Sequence, residues 1–270
     1  MTDSHDEVVH TAVADAVATI TLDSPANRNA LSNALVEQLL AALAAAEKNP
    51  DARAVVLTHT GNTFCAGADL SEALARGASV EEASAAGTEA MLGVIRMILE
   101  LGKPVIARID GHVRAGGLGL IGACDMVFAG PKCTFALTEA RLGVAPSVIS
   151  VVLLPKMTAR SSGRYYLTGE TFDASTAERV GLITQASSSA DELDATLASV
   201  LGDIRKASPQ GLAAAKELTT APVLADFERD ATRRAQESVS LFASDEAREG
   251  MTAFLSKRPP AWNVSELSTP

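Results

Sequence analysis

The sequence predicts an α/β fold, with a strand-and-helix core over residues 1–200 that carries a helical module over 201–270. Three observations lead there. Short β-rich runs alternate with helical periodicity through the first half of the chain. After about Pro155 the pattern is mainly helical, with breaks at Ser208-Pro209 and at Pro222. A chain of 270 residues with 47% hydrophobic content can bury a sizeable core without a metal or disulfide staple.

The elements follow in order. Val8 to Val13 and Val17 to Leu22 are β-rich runs around Ala14-Asp15-Ala16, the pattern of a hairpin or of two adjacent strands. Asp23-Ser-Pro-Ala-Asn-Arg28 breaks that pattern as a turn. Ser32 is placed to cap a helix running to about Lys48, with Leu35, Leu39, Leu40 and Leu43 on one face and Asn49-Pro50 as its stop. A strand near Ala54 to Thr58 completes a strand–helix–strand unit. From Glu72 to about Thr88 the residues are small, polar and acidic, which predicts a mobile loop or a loose helix over the site. Helix is expected again from Met91 to Glu100. Pro104 opens a strand that ends at Ile109, and short strands follow at Met126 to Ala129 and Thr134 to Leu137.

Composition removes several functions. A formal charge of −10 argues against nucleic-acid binding, because neutralising phosphates needs clustered Lys and Arg. The acidic start Met1-Thr-Asp-Ser-His-Asp-Glu7 has neither the basic nor the apolar region of an export signal, and no uncharged run is long enough to span a bilayer. A soluble, cytoplasmic protein with no membrane partner is the expectation. Cys65, Cys124 and Cys133 are an odd set without Cys-x-x-Cys spacing, flanked by small apolar residues, as buried free thiols in a reducing compartment would be.

Two segments carry the chemistry. Asn62-Thr-Phe-Cys-Ala-Gly-Ala-Asp-Leu70 and Ile109-Asp-Gly-His-Val-Arg-Ala-Gly-Gly-Leu-Gly-Leu-Ile-Gly-Ala-Cys-Asp125 each follow an apolar strand and open toward a helix. Small residues at such turns let backbone N–H groups approach a ligand, and two turns can aim two N–H groups at one carbonyl oxygen. With Asn29-Ala-Leu31 and Phe254-Leu-Ser-Lys-Arg-Pro-Pro-Ala-Trp262, these segments resemble the enoyl-CoA hydratase/isomerase, or crotonase, family. The resemblance runs from about residue 8 to about residue 262.

That resemblance implies a spiral of ββα repeats whose C-terminal helices form trimer contacts, as a homotrimer or a dimer of trimers. It implies an acyl-CoA thioester as substrate, with coenzyme A entering as part of that substrate and no cofactor besides. It assigns the oxyanion-hole amides to Ala68 and Gly116, and the acid/base to Glu139 in Leu137-Thr-Glu-Ala-Arg-Leu-Gly143. Around coenzyme A it assigns Arg28, two residues after Ala26 where some members carry a phosphate-contacting lysine, then Ala66, Asp69 and Leu70. Phe254 and Lys257 correspond to positions that, in hexameric relatives, include a lysine reaching a neighbour's nucleotide.

One departure bears on the reaction. Family hydratases use two glutamates around one water, and the first position here is Gly119. An acid/base group contributes roughly 10²- to 10⁴-fold, so the loss redirects the expectation. A hydratase working with Glu139 comes first, a single-glutamate Δ3,Δ2-enoyl-CoA isomerase second, and a CoA-thioester binding protein without catalysis third. Val144-Ala-Pro-Ser-Val-Ile-Ser-Val-Val152 is bulkier than the family's usual glycine-rich segment. Paired with the glutamate-free Gly117-Leu-Gly-Leu-Ile121, the run Thr138-Glu-Ala-Arg-Leu-Gly-Val-Ala-Pro-Ser-Val-Ile-Ser150 resembles a subgroup acting on branched, carboxylated substrates, such as the methylglutaconyl-CoA hydratases of leucine breakdown. For such a substrate Arg114 or Arg141 would meet the distal carboxylate through a forked contact.

Overall fold

The structure is a computed structural model that describes residues 7–69 and 80–264. Strands β1 (Val9–Ala14) and β2 (Val17–Leu22) form a hairpin paired Ala14 to Val17. Its two-residue turn takes Asp15 and Ala16 to φ of 49° and 61°, the left-handed pair that matches the twist of the strands. β2 then runs parallel to β3 (Ala54–His59), β3 to β5 (Val105–Ile109), β5 to β7 (Met126–Ala129) and β7 to β10 (Gln185–Ala186), in the order β1-β2-β3-β5-β7-β10. Both faces are covered at the centre of this sheet, which is why β3, β5 and β7 read as largely apolar runs, while the edge strand β1 is mostly exposed. Val17, Ala54, Val56, Ile106 and Phe128 pack under Leu193, Leu197 and Ile204 of a helix at 190–204. The alternate residues, among them Ile20, Leu57, Ala107 and Val127, face the main core.

A second sheet carries the site. β3, β5 and β7 each continue through a short loop into β4 (Thr63–Cys65), β6 (His112–Arg114) and β8 (Thr134–Ala136), and β9 (Phe172–Asp173) closes the edge. β4 pairs parallel with β6 and β6 with β8, Val113 lying opposite Phe135 and Arg114 opposite Ala136. The C-terminal ends of three consecutive parallel strands therefore stand side by side, and the site residues come from just beyond them.

Helix α1 (Asn33–Lys48) begins as expected, with Leu35 N–H donating to the Ser32 hydroxyl at 3.2 Å, and it buries Leu35, Leu39 and Leu43. α2 (Val80–Glu100) decides between the two readings of the acidic stretch in favour of helix from Val80 onward, continuous with the helix expected from Met91, while residues 72–79 lie outside the described part. α3 (Gly116–Ala123) is buried from Gly117 onward. α4 (Ser150–Leu153), α5 (Ala159–Thr168), α6 (Ala174–Arg179) and α7 (Ala190–Ile204) follow, then α8 (Pro209–Phe242) and α9 (Asp245–Leu255).

A break was expected at Pro222, and the structure instead keeps α8 helical through it. Tertiary packing overrides the lost N–H: Val223 and Phe227 are buried in the core, and the buried Lys216 ammonium anchors the first half of the helix. Lys216 Nζ donates to Ile98 O at 2.8 Å and to Lys103 O at 3.1 Å, and pairs with Asp125 Oδ2 at 2.9 Å. The fold is thus the α/β architecture anticipated, with its C-terminal helices packed back on the core along α2.

Candidate active site

The loop after β4 is clamped from one side. Ala66 N–H donates to Arg28 O at 3.1 Å, and Leu31 N–H to Gly67 O at 2.8 Å. In a trans peptide the carbonyl and the next N–H point oppositely, so fixing Gly67 O on Leu31 turns the Ala68 N–H away from it. Arg28 and Asn29 adopt φ of 59° and 51° to bring this clamp into place. Asn29 is fully buried and holds the bend, accepting from Ser24 N–H at 2.6 Å and donating to Thr60 O at 3.1 Å and Thr63 O at 2.8 Å.

The loop after β6 presses against the first. Gly67 sits at φ 95°, and a Cβ there would fall 2.8 Å from Ala115 Cβ and 3.4 Å from Gly116 N. A Cβ on Gly117 would stand 2.8 Å from Cys65 O, so only glycine permits this approach. Ala115 is held at φ 45° and ψ −121°, and its carbonyl accepts from Leu118 N–H at 2.8 Å. By the same trans-peptide argument the Gly116 N–H points outward from the start of α3. Among the described residues, neither the Ala68 nor the Gly116 N–H has an acceptor.

Glu139 lies three residues past β8, in a short 3-10 turn over Glu139–Leu142, and is 9% exposed. Phe135 and Leu137 beside it are wholly buried. Burial pushes its carboxyl up to about 7, against a smaller pull from its own backbone N–H. Oε2 is buried with no hydrogen-bond partner among the described residues. Arg141 does not neutralise it: the Arg141 Nε donates to Thr168 O at 2.9 Å.

At Gly119 the structure supplies a physical reason for the absent carboxylate. A Cβ there would fall 2.5 Å from Ile149 Cγ2 and 3.2 Å from Ile149 Cβ. Ile149, from the bulkier segment after Glu139, occupies the space a side chain would need. The sequence pairs the two segments only as a subgroup resemblance; that they touch is a matter of tertiary packing.

The other predicted residues are distributed around this centre. Arg28 is exposed, while Ala66 and Asp69 are partly buried on the clamped loop, where Asn27 Nδ2 donates to Asp69 Oδ2 at 3.0 Å. Leu70 lies outside the described residues. Arg114 is turned onto its own sheet, NH1 donating to Val113 O at 2.9 Å and Thr134 O at 2.6 Å, and NH2 to Thr134 Oγ1 at 2.8 Å. His112 makes a local contact between Nδ1 and Thr134 Oγ1 at 2.9 Å. Phe254, 59% exposed, and Lys257 stand at the end of α9. A cleft of about 970 Å³ between α2 and α8, lined by Thr88, Leu92, Arg96, Phe227 and Val239, contains none of these residues.

The three thiols are buried, and Cys65 and Cys124 are pushed up to about 12 and Cys133 to about 11 by desolvation, so they stay protonated. Among the described residues no group of three His, Cys, Asp or Glu side chains converges to hold a metal ion. No described helix is long and apolar enough to cross a membrane.

Known proteins share this arrangement of chain. A crystal structure of an enoyl-CoA hydratase from Mycobacterium avium is similar with a TM-score of 0.88 and 54% identity, over 96% of this chain and 100% of that one. The carnitinyl-CoA hydratase of Mycobacterium avium has a TM-score of 0.81 and 30% identity over 96% and 99% of the two chains. The 2,3-dehydroadipyl-CoA hydratase of Escherichia coli is 31% identical over 245 residues, 90% of this chain and 94% of the relative. A family model described as enoyl-CoA hydratase/isomerase matches residues 12–265. Since that match takes in both strand-end loops, Glu139 and the C-terminal helices, the chain belongs to the enoyl-CoA hydratase/isomerase family and is an enzyme of crotonase fold.

Proposed function

We propose that the protein adds water to a 2-enoyl-CoA thioester, with the Ala68 and Gly116 N–H groups on the thioester oxygen and Glu139 as the one acid/base. The observation that carries this reading is Glu139 itself, a buried carboxyl pushed up to about 7 beside two outward-facing amides on neighbouring strand ends. A group with that affinity for protons can both take and return one at neutral pH. As the water oxygen bonds to C3, Glu139 accepts a proton from it and the π electrons move onto the thioester oxygen. As that enolate collapses, Glu139 returns the proton to C2, so H and OH add to one face. Each backbone donor aimed at the developing oxyanion contributes about 3 kcal/mol in comparable sites.

The Gly119 packing favours one alternative within the family. With one carboxylate, the same site can carry a proton between C4 and C2 of a 3-enoyl-CoA, which is isomerisation. The deciding assay follows the conjugated-thioester absorbance with crotonyl-CoA, 3-methylglutaconyl-CoA and a 3-enoyl-CoA, using Glu139→Gln as control. Glu139-dependent loss of absorbance on a 2-enoyl-CoA supports hydration. A gain on the 3-enoyl-CoA alone supports isomerisation, and activity on none of them removes both.

A branched or carboxylated acyl chain is the finer reading. It is supported by Val148 and Ile149 beside the site and by relatives named for 2,3-dehydroadipyl-CoA and carnitinyl-CoA. A trimer or dimer of trimers in the cytoplasm is the matching assembly. Leu154, Leu167, Leu218, Phe254 and Val264, all exposed in the single chain, support an apolar interface for it.

A further inference from the structure

Tyr166, on α5, has no part in the chemistry above, yet its hydroxyl is buried and finds no partner among the described residues, the same condition as Glu139 Oε2. The two groups sit on packed elements. α5 lies against the 139–142 turn, and Arg141 Nε ties the turn to Thr168 O at 2.9 Å. Burial first, and the Glu139 carboxylate second, push the Tyr166 hydroxyl well above the usual phenol range. Leaving a buried polar atom unpaired forfeits the hydrogen bond it had to water without replacing it. A small polar molecule that accepts from one group and donates to the other satisfies both.

We propose that Tyr166 and Glu139 together hold the water that adds to the substrate, Tyr166 Oη donating to the water oxygen while the water donates to Glu139. Tyr166 thereby supplies the second polar contact for which Gly119 has no room. The proposal rests on the hydratase reading. Of the two lone pairs on the water, one accepts from Tyr166 and the other forms the bond to C3; Tyr166 keeps its proton throughout, as its raised affinity for that proton requires. Of the other charged groups on the packed elements, Arg234 of α8 donates to Glu237 Oε2 at 2.9 Å and pulls the Tyr166 hydroxyl down, by less than burial and the Glu139 carboxylate push it up, while Arg141 donates to Thr168 O at 2.9 Å.

Tyr166→Phe removes only the hydroxyl. Two quantities test the idea: kcat and KM for crotonyl-CoA hydration across the neutral pH range, and the infrared band of the protonated Glu139 carboxyl, identified against Glu139→Gln and titrated without substrate. We expect kcat to fall roughly 10- to 100-fold with KM little changed, as for one hydrogen bond to a reacting atom. The Glu139 titration midpoint should rise by roughly half a unit to one unit, because the ionised form loses its shared water. An unmoved midpoint overturns the proposal whatever happens to kcat. A merely structural role would lower the melting temperature of both Tyr166→Phe and Tyr166→Leu and leave the midpoint in place. If the unaltered protein hydrates nothing, the infrared shift still reports on the pair, so failure of the hydratase reading is separable from failure of this one.

Discussion

Gly119→Ala is the most direct probe of why this enzyme lacks the first carboxylate. Position 119 is inside α3 with no positive φ, so on helix propensity alone alanine should stabilise by about 1 kcal/mol. Packing opposes that gain. The new Cβ would lie 2.5 Å from Ile149 Cγ2 and 3.2 Å from Ile149 Cβ. Because the second contact is to Cβ, rotating the stiff β-branched side chain does not relieve it, and the Ile149 backbone must move. Forced overpacking of this kind costs about 1–3 kcal/mol, so the net expectation is a loss of up to about 2 kcal/mol.

Ile149→Ala removes the closest atom and by itself should cost about 2–5 kcal/mol, the range for truncating a buried isoleucine. In that background Gly119→Ala should become neutral or mildly stabilising, a coupling of about 1–3 kcal/mol between the two positions, the overpacking cost relieved. Urea unfolding of the four proteins at one fixed protomer concentration measures this, the concentration being held because assembly shifts apparent stability. Additive effects, with Gly119→Ala stabilising in both backgrounds, would refute the argument that Ile149 fills the carboxylate's place.

Other outcomes follow from the same geometry. Glu139→Gln should lower turnover roughly 10²- to 10⁴-fold, with the acid limb of kcat/KM in the parent near the Glu139 value of about 7. Because the folded-state affinity for that proton is raised, the stability it confers is fully present below the ordinary carboxyl range near 4.5 and is lost as pH rises through about 7. The parent should lose on the order of 3 kcal/mol over that interval relative to Glu139→Gln, and parallel stability curves for the two would contradict the buried-carboxyl reading. Gly67→Ala, strained at φ 95° and 2.8 Å from Ala115 Cβ, should misdirect the Ala68 amide and lower kcat more than it raises KM; a change in KM alone would count against an oxyanion role. Lys216→Ala, which leaves the mostly buried Asp125 carboxylate without its cation, should cost about 3–5 kcal/mol in denaturant unfolding. Replacing both by apolar residues should cost less, and equal losses would argue against the pairing.

What could be read from the sequence, and what could not, divides on the range of the interactions involved. β3 and β5 announce themselves as largely apolar runs covered on both faces, β2 by its β-branched alternation, and α1 through Ser32 and its leucines. β4, β6, β9 and β10 are two or three residues long, below the length at which alternation carries a signal, and only pairing with neighbours makes them strands. Helix through Pro222 is likewise illegible, since α8 is held by what its Lys216, Val223 and Phe227 meet in the core, among them Ile98 O, Lys103 O and Asp125, all distant in the sequence. The site follows the same rule. Gly67, Gly116 and Gly117 stand out because close backbone approach excludes other residues, and Glu139 stands out through the resemblance of Leu137-Thr-Glu-Ala-Arg-Leu-Gly143 to the family's segment. Ile149 and Tyr166 carry no such mark: an isoleucine and a tyrosine in a helical stretch are ordinary core residues until the fold sets one against Gly119 and brings the other's unpaired hydroxyl under the charge of Glu139. The chemistry of the family is thus written in the backbone-restricting residues, while what distinguishes this member lies in side chains whose meaning depends on contacts made thirty residues or so away along the chain.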